Sequence, residues 1–165
     1  MANKALYILA GFDDETEKYL AGIQQKLYEK GFVGTQTKDI PMHTTLGSFP
    51  VEKEEELKAE LLKLSEECKA FDITFNHVGL FGGEKTNVLF IAPDINRDLL
   101  DLKEKFGDSF GWMAHATMLI DAPDVIGKAI PEVLNNFKAF HGKVSYLHLF
   151  EFFPTRHILT VKFEK

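Results

Sequence analysis

The sequence predicts an α+β fold of two similar halves, each an antiparallel sheet with helices on its outer side, related by a pseudo-twofold axis. Two observations predict this class. Strand-like and helix-like segments alternate along all 165 residues, and one order of segments occurs twice. At three positions the same residue also recurs 69 positions later: Phe71 as Phe140, Leu80 as Leu149, and Phe81 as Phe150. Two copies are too few for a solenoid, so we expect two lobes around a central cleft.

A single domain is expected over residues 1–165. The hydrophobic fraction of 45% can fill one core, and no low-complexity tract separates two domains. We expect internal halves at approximately 1–83 and 84–165, with a C-terminal strand exchanged into the first.

In the first half, each helix has a recognisable boundary. Acidic residues precede the first helix and Gly31 ends it, while Pro50 precedes the second. Apolar residues at helical or alternating spacing mark the elements themselves. The predicted strands are 4–12, 42–49 and 71–81, and the predicted helices are 17–30 and 52–70.

The second half repeats this order after a hairpin. Gly82 and Gly83 supply the turn chemistry between the strand at 71–81 and the next one. The predicted strands are 87–92, 112–120, 144–153 and 157–163, and the predicted helices are 97–106 and 124–137.

The charge of the chain limits its partners. A net charge of -6 and a pI near 5.5 leave no broad basic surface for neutralising a long nucleic acid. We therefore expect a small nucleotide or a short RNA end as ligand rather than a long nucleic acid.

Cysteine content and the N-terminus indicate a cellular setting. Cys68 is the single cysteine, which excludes an intramolecular disulfide and fits a reducing compartment. The apolar stretch near the N-terminus is too short to span a membrane. We expect a cytoplasmic monomer without a membrane partner.

Two short motifs carry the candidate chemistry. The predicted strand at 42–49 contains HTTLGSF, and the predicted strand at 112–120 carries HATMLID. Side chains at i and i+2 of a strand share a face, so His43 points with Thr45 and His115 points with Thr117. Six histidines and ten threonines would give about 0.4 such pairs by chance. Two pairs at matching places of a duplicated unit favour a shared site over ordinary strand packing.

Such a site suits acid/base chemistry on a phosphodiester. One neutral histidine can accept a proton from water or a ribose hydroxyl, while a protonated histidine delivers one to the leaving oxygen. The threonine hydroxyls can donate to the non-bridging oxygens. Two imidazoles supply both proton transfers, so we expect neither a metal nor another cofactor.

The two motifs resemble the paired H-x-[ST]-hydrophobic motifs of the 2H phosphoesterase superfamily, which includes bacterial RNA 2',3'-cyclic phosphodiesterases first named 2'-5' RNA ligases. VGLFGGEKTNVLFIAPD, between the motifs, is similar to the corresponding stretch of that family. Met118 replaces a commoner leucine, and Met42 and Ala114 stand where proline often precedes the histidine. The resemblance implies a bilobal LigT-like fold, with His43, Thr45, His115 and Thr117 as its catalytic residues.

It also implies metal-independent hydrolysis of a 2',3'-cyclic nucleotide, a cyclic-phosphate RNA end or a 2'-linked phosphodiester, with 2'-5' ligation as the reverse reaction. The sequence does not decide which histidine is the base. Two alternatives remain open: a non-catalytic module that binds nucleotides in the same cleft, and a structural protein.

Two further residues are candidates for substrate binding. Phe12 ends the first strand and either stacks on a base or packs in the core. Arg156 either reaches a phosphate or faces solvent, with solvent favoured. The four histidines outside the motifs are expected at the surface or packed in strands: His77, His141, His148 and His157.

Overall fold

Seven strands and four α-helices alternate along residues 3–165, the part of the chain that the computed structural model describes. They are β1 (Ala5–Phe12), α1 (Asp14–Glu29), β2 (His43–Phe49), α2 (Glu54–Glu67), β3 (Phe71–Phe81), β4 (Asn87–Pro93), α3 (Arg97–Glu104), β5 (Ala116–Asp121), α4 (Pro123–Asn136), β6 (Phe140–Phe152) and β7 (Arg156–Lys162). A short 3₁₀ turn, Val51–Lys53, precedes α2.

The strands form two antiparallel lobes that share β6. Residues 144–152 of β6 pair with β1 on one side, and residues 146–151 pair with β7 on the other. With β2 on the far edge of β1, these strands make the first lobe. Residues 140–144 of β6 pair with β3, which continues through β4 to β5 and makes the second lobe. The last two strands of the chain thus complete the lobe that contains the first strand.

The strand registers contain the 69-residue offset seen in the sequence. Tyr7 pairs with Phe150 in the first lobe as Val88 pairs with Phe81 in the second. Where β3 meets β6, Ile73 lies opposite Gly142, so the pseudo-twofold axis passes between these two residues. The repeated sequence therefore forms a repeated set of backbone hydrogen bonds.

Both motif strands carry a β-bulge directly after the motif threonine. In β2 the pairing with β1 skips Leu46, and in β5 the pairing with β4 skips Met118. A bulge adds one unpaired residue and increases the local twist of its strand. Each motif strand is therefore bent at the same point, immediately beyond its His-x-Thr segment.

Helices cover the outer faces of the lobes, and two of them, α1 and α3, begin at capping side chains. Asp13 Oδ1 accepts a hydrogen bond of 3.0 Å from Thr16 N at the start of α1, and Asn96 caps α3 in the same way. α2 packs on β6 and β7, while α4 packs on β4 and β5. The core lies between these helices and the sheet, and its largest fully buried side chain is Phe75.

The main difference from the predicted elements precedes the second motif. We predict a strand from residue 112, but β5 begins at Ala116. Trp112 and His115 lie outside the sheet because their side chains bond elsewhere: Trp112 to the other lobe, and His115 to the carbonyl of Met113. Helix ends differ from prediction by at most three residues, and β6 begins at Phe140 rather than at residue 144.

Within residues 3–165, no helix combines the length and the apolar character that a membrane crossing requires.

Gly79→Ala is expected to destabilise the protein because a Cβ at this position of β3 would lie 2.8 Å from ring atoms of Phe90. Overpacking of this kind costs about 1–3 kcal/mol. Gly22→Ala, in α1, is the matched control: its Cβ would meet nothing within 4 Å, and helix propensity favours alanine by about 1 kcal/mol. Urea unfolding should lower the midpoint of the first variant and raise that of the second. Equal midpoints would contradict this packing.

Candidate active site

The two motif strands are edge strands of different lobes, and they meet. Thr44 Oγ1, from β2, donates a hydrogen bond of 3.1 Å to the backbone carbonyl of His115. In the opposite direction, Trp112 Nε1 donates to the backbone carbonyl of Thr45 at 3.1 Å. The first motif and the residue Trp112, just before the second motif, each bind a backbone carbonyl of the other lobe. The two His-x-Thr segments therefore lie side by side, although their histidines are 72 positions apart.

The exposed edge of β5 is completed by residues of the first half. Gln24 Nε2 donates to Met118 O at 3.0 Å, and the Ile120 amide donates to Gln36 Oε1 at 2.9 Å. Thr35 N also donates to Ile120 O at 2.8 Å. Unpaired strand edges need partners, and here they come from α1 and the loop after it. These bonds fix the position of the second motif relative to the first.

The two motif histidines have the same ring orientation. His43 Nδ1 lies 2.8 Å from Pro41 O, and His115 Nδ1 lies 2.9 Å from Met113 O. A carbonyl oxygen can only accept, so Nδ1 carries the proton in both rings. In the neutral ring the other nitrogen, Nε2, is then bare and available for proton transfer. Each histidine thus has its tautomer set by a backbone carbonyl two residues earlier.

The two rings have different surroundings. His115 packs against the rings of Phe81 and Phe90, with centroids at 4.8 Å and 5.3 Å. His43 lies opposite Gly11 of β1. The backbone just before His43 is held by Glu17, whose Oε1 accepts a hydrogen bond of 3.0 Å from the Met42 amide. Burial raises the pKa of Glu17, against the lowering effect of that hydrogen bond.

Burial also sets the charge of His43. It lowers the pKa of this ring below the ordinary 6.5, against the hydrogen bond to Pro41 O, and a positive charge on His115 lowers it further. The protonated form is disfavoured because burial removes water from the imidazolium. Near neutral pH, His43 is therefore a neutral ring with a bare Nε2.

The motif threonines line a cavity of about 680 Å³, together with His43, Tyr7 and Phe153. His115 does not line the cavity itself but stands two residues before Thr117. The intervening motif side chains are buried: Thr44, Leu46, Ala116 and Met118. The cavity thus presents two motif hydroxyls and the imidazole of His43 to an anion.

Neither of the other two predicted substrate-binding residues is free to act in that role. Phe12 is 4% exposed and packs edge-on against Phe75, so it belongs to the core. Arg156 is exposed at the surface, but its guanidinium is paired with Glu151, at 3.2 Å from Nε, and with Glu54. The structure thus favours the core for Phe12 and the surface for Arg156, in each case the alternative to substrate binding.

The sequence did not single out one buried histidine that lies beside the first motif. His148, expected to be an ordinary surface or packing residue, is 6% exposed and its ring lies against Gly11, the neighbour of His43. The 69-residue offset could have drawn attention to it, because the equivalent position in the second lobe is Gly79. Within residues 3–165, no group of three or more His, Cys, Asp or Glu side chains could hold a metal ion.

Comparison with solved structures identifies the fold. E. coli LigT in its apo form matches with a TM-score of 0.60 and 15% identity, over 96% of this chain and 96% of that one. A phosphoesterase matches with 0.62 and 15%, over 99% and 100%. Usb1 of Kluyveromyces marxianus matches with 0.50 and 11%, over 97% and 98%. No protein-family model and no curated protein matches the chain.

These matches run nearly end to end, so the predicted fold is confirmed: the chain has a LigT-like fold. LigT is also represented among the matches by structures with 3'-AMP, with ATP, with phosphate and with NADP+.

Thr44→Val is expected to weaken the junction of the motif strands, because valine keeps the shape of threonine but leaves the His115 carbonyl without its donor. The free energy of unfolding should fall by about 1–2 kcal/mol. Thr35→Val is the matched control: its exposed hydroxyl donates to the Ile120 carbonyl of β5 at 3.3 Å, beyond the two His-x-Thr segments. Chemical denaturation compares the two. An unchanged stability for Thr44→Val would show that the junction does not depend on this bond.

Proposed function

We propose that this protein hydrolyses a phosphodiester whose leaving group is a ribose hydroxyl, with a 2',3'-cyclic nucleotide or the cyclic-phosphate end of a short RNA as substrate. The observation that carries the proposal is the pairing of the motif strands by Thr44 and Trp112. It brings together two histidines whose Nδ1 atoms are both held by carbonyls and whose Nε2 atoms are both left free.

In the proposed mechanism His43 is the general base and His115 the general acid. His43 is the better base because its lowered pKa leaves Nε2 unprotonated near neutral pH. It takes a proton from water as the water oxygen bonds to phosphorus. As the bond from phosphorus to the ribose oxygen breaks, His115 gives its proton to that oxygen. Thr45 and Thr117 donate hydrogen bonds to the non-bridging oxygens, where charge increases in the transition state.

The fold supports the choice of substrate class. LigT, which shares the fold, has been solved with a nucleotide, 3'-AMP, and with phosphate. The acidic balance of the chain, with a net charge of -6, favours a small ligand over a long nucleic acid. The proposal includes a monomeric, single-domain enzyme acting in the cytoplasm without a metal or cofactor.

Ligation of RNA ends through a 2'-5' bond is the reverse of cleaving such a bond to a cyclic phosphate, and it needs a hydroxyl in place of water at the phosphorus. His43 would take the proton of that hydroxyl, and His115 would protonate the ribose oxygen that leaves. A module that binds nucleotides without turnover is the competing function, and it differs in a single respect, since it would keep affinity without chemistry.

The test is incubation with 2',3'-cyclic nucleotides and with short RNAs that carry cyclic-phosphate ends, with and without a chelator. Removing either proton-transfer group should lower kcat by about 10²- to 10⁴-fold, so His43→Ala and His115→Ala should both be nearly inactive. His77→Ala is the control, because that histidine is exposed and pairs with Asp94 away from the motifs.

Turnover should survive the chelator and the His77 substitution. Loss of activity in chelator would contradict metal-independent catalysis. Nucleotide binding without turnover by the unmodified protein would favour the binding module instead.

The pH dependence tests the assignment of the base. His43 must be neutral to accept a proton, so the acid limb of the kcat/KM profile should appear only when the pH drops below the pKa of this ring. Since burial lowers that pKa, the acid limb should lie below 6.5. A rate profile over the acid range, with thermal unfolding at each pH to exclude denaturation, measures the limb. A midpoint at or above 6.5 would contradict His43 as the base.

A further inference from the structure

A third histidine faces the cleft beside His43. His148 of β6 lies opposite Leu9 of β1, whose partner on its other side is Thr45 of β2. Residues that are lateral neighbours in a sheet point to the same face, so His148 shares the face of the motif pair. A Cβ on Gly11 would lie 2.4 Å from His148 Nε2, and Gly11 pairs directly with His43. The Nε2 atom of His148 therefore lies against Gly11, on the sheet face of the motif pair and beside the proposed base.

The ring of His148 is held from behind by a chain of hydrogen bonds. Its Nδ1 lies 2.8 Å from Thr160 Oγ1, and the same hydroxyl lies 2.7 Å from Nε2 of His157. A threonine hydroxyl has one proton and can accept as well. When it donates to His157, it accepts the Nδ1 proton of His148, and Nε2 of His148 is then a bare acceptor that faces the cleft.

The charge state of His148 fits that role. Burial, together with positive charges on His43 and His157, lowers its pKa to about 4. The ring is therefore neutral near neutral pH, and one of its two nitrogens has no proton. A neutral acceptor can hold an O–H group, whereas a cation would be needed to attract a phosphate oxygen strongly.

The second lobe lacks this residue. Its equivalent position is Gly79, and the ring of Phe90 fills the space above that glycine. Phe81 and Phe90 then contact His115. The two sides of the cleft are thus unlike: a polar acceptor stands beside His43, and apolar rings stand beside His115.

Hydrolysis makes a demand at the base that transfer to an alcohol does not. Water has two O–H bonds, and only one of its protons goes to His43. The other proton needs an acceptor if the oxygen lone pair is to point at phosphorus. An attacking alcohol has a single O–H proton and needs no second acceptor.

We propose that His148 is a third catalytic residue, whose Nε2 accepts the second proton of the attacking water and so favours hydrolysis over transfer to an alcohol. This inference rests on the proposed function. In the step, the water oxygen bonds to phosphorus, one proton passes to His43, and the other stays on that oxygen in a hydrogen bond to His148. The bond from phosphorus to the ribose oxygen breaks, and His115 supplies the proton that this oxygen gains.

The experiment measures partition between water and methanol. A 2',3'-cyclic nucleotide is turned over in water containing methanol, and the phosphomonoester and its methyl ester are quantified by phosphorus NMR. His148→Phe keeps a ring of similar size but removes the acceptor. Hydrolysis should fall about tenfold, the effect of one lost hydrogen bond in the transition state, while methanolysis falls much less. The ratio of methyl ester to monoester should therefore rise about tenfold.

Two more variants test the chain behind the ring. His148→Gln retains an acceptor oxygen and should return the ratio most of the way to that of the unmodified protein. Thr160→Val removes the hydroxyl that orients the ring, and it should move the ratio in the same direction as His148→Phe by a smaller factor.

Matched controls come from the other end of β6. Thr74 Oγ1 and His141 Nδ1 form a similar pair, 2.9 Å apart between β3 and β6, outside the cleft. Thr74→Val and His141→Phe should leave the ratio unchanged. Thermal unfolding of every variant identifies those that are folded, and Thr160→Val, at an exposed position, provides the reading if His148→Phe does not fold.

An unchanged ratio in folded His148→Phe and Thr160→Val, with both reactions slowed equally or not at all, would overturn the inference and leave the proposed function intact. Absence of turnover by the unmodified protein would overturn the proposed function, and this inference with it.

Discussion

The candidate site depends on the junction between two strand edges. β2 and β5 end their sheets on opposite sides, and a pair of crossing hydrogen bonds joins them: Thr44 to the His115 carbonyl and Trp112 to the Thr45 carbonyl. Because both bonds end on motif backbone, they fix the spacing of the histidines more directly than packing in either lobe could. The bulges at Leu46 and Met118 bend the strands immediately beyond this point, so the pairing is confined to the motif segments.

The pseudo-twofold symmetry is kept in the backbone and broken in the cleft. Strand registers and bulges repeat between the lobes, yet each lobe places a different ring over a glycine: His148 over Gly11 in the first, and Phe90 over Gly79 in the second. A glycine is needed at both positions, since a Cβ would meet the ring. The ring and the glycine lie on exchanged strands in the two lobes, since Gly79 is the equivalent of His148. A polar ring therefore lies beside His43 and an apolar one beside His115, and this difference makes the two motif histidines chemically unequal.

Sequence reasoning succeeded where a signal was periodic or repeated. The 69-residue offset of Phe81 and Phe150 is present in the strand registers, and the alternation within each motif predicted which side chains are buried. It left single side chains undecided. Phe12 is held in the core by Phe75, and the guanidinium of Arg156 is paired with two carboxylates. Phe75 and Glu54 lie far from them in the chain, so no local pattern could have chosen between the alternatives.

By itself, the sequence determined the order of the elements, the duplication and the two His-x-Thr segments, because hydrophobic periodicity and turn chemistry act over a few residues. Only the tertiary structure decided the pairing of the motif strands, the tautomers of His43 and His115, and the place of His148. The first and the last depend on atoms that folding brings together from different strands: a carbonyl of the other lobe, and the hydroxyl of Thr160 on β7. The tautomers depend on the bend of the chain that turns each ring towards the carbonyl two residues earlier. Hydrogen bonds are short and directional, so their partners are set by the fold and not by spacing in the chain.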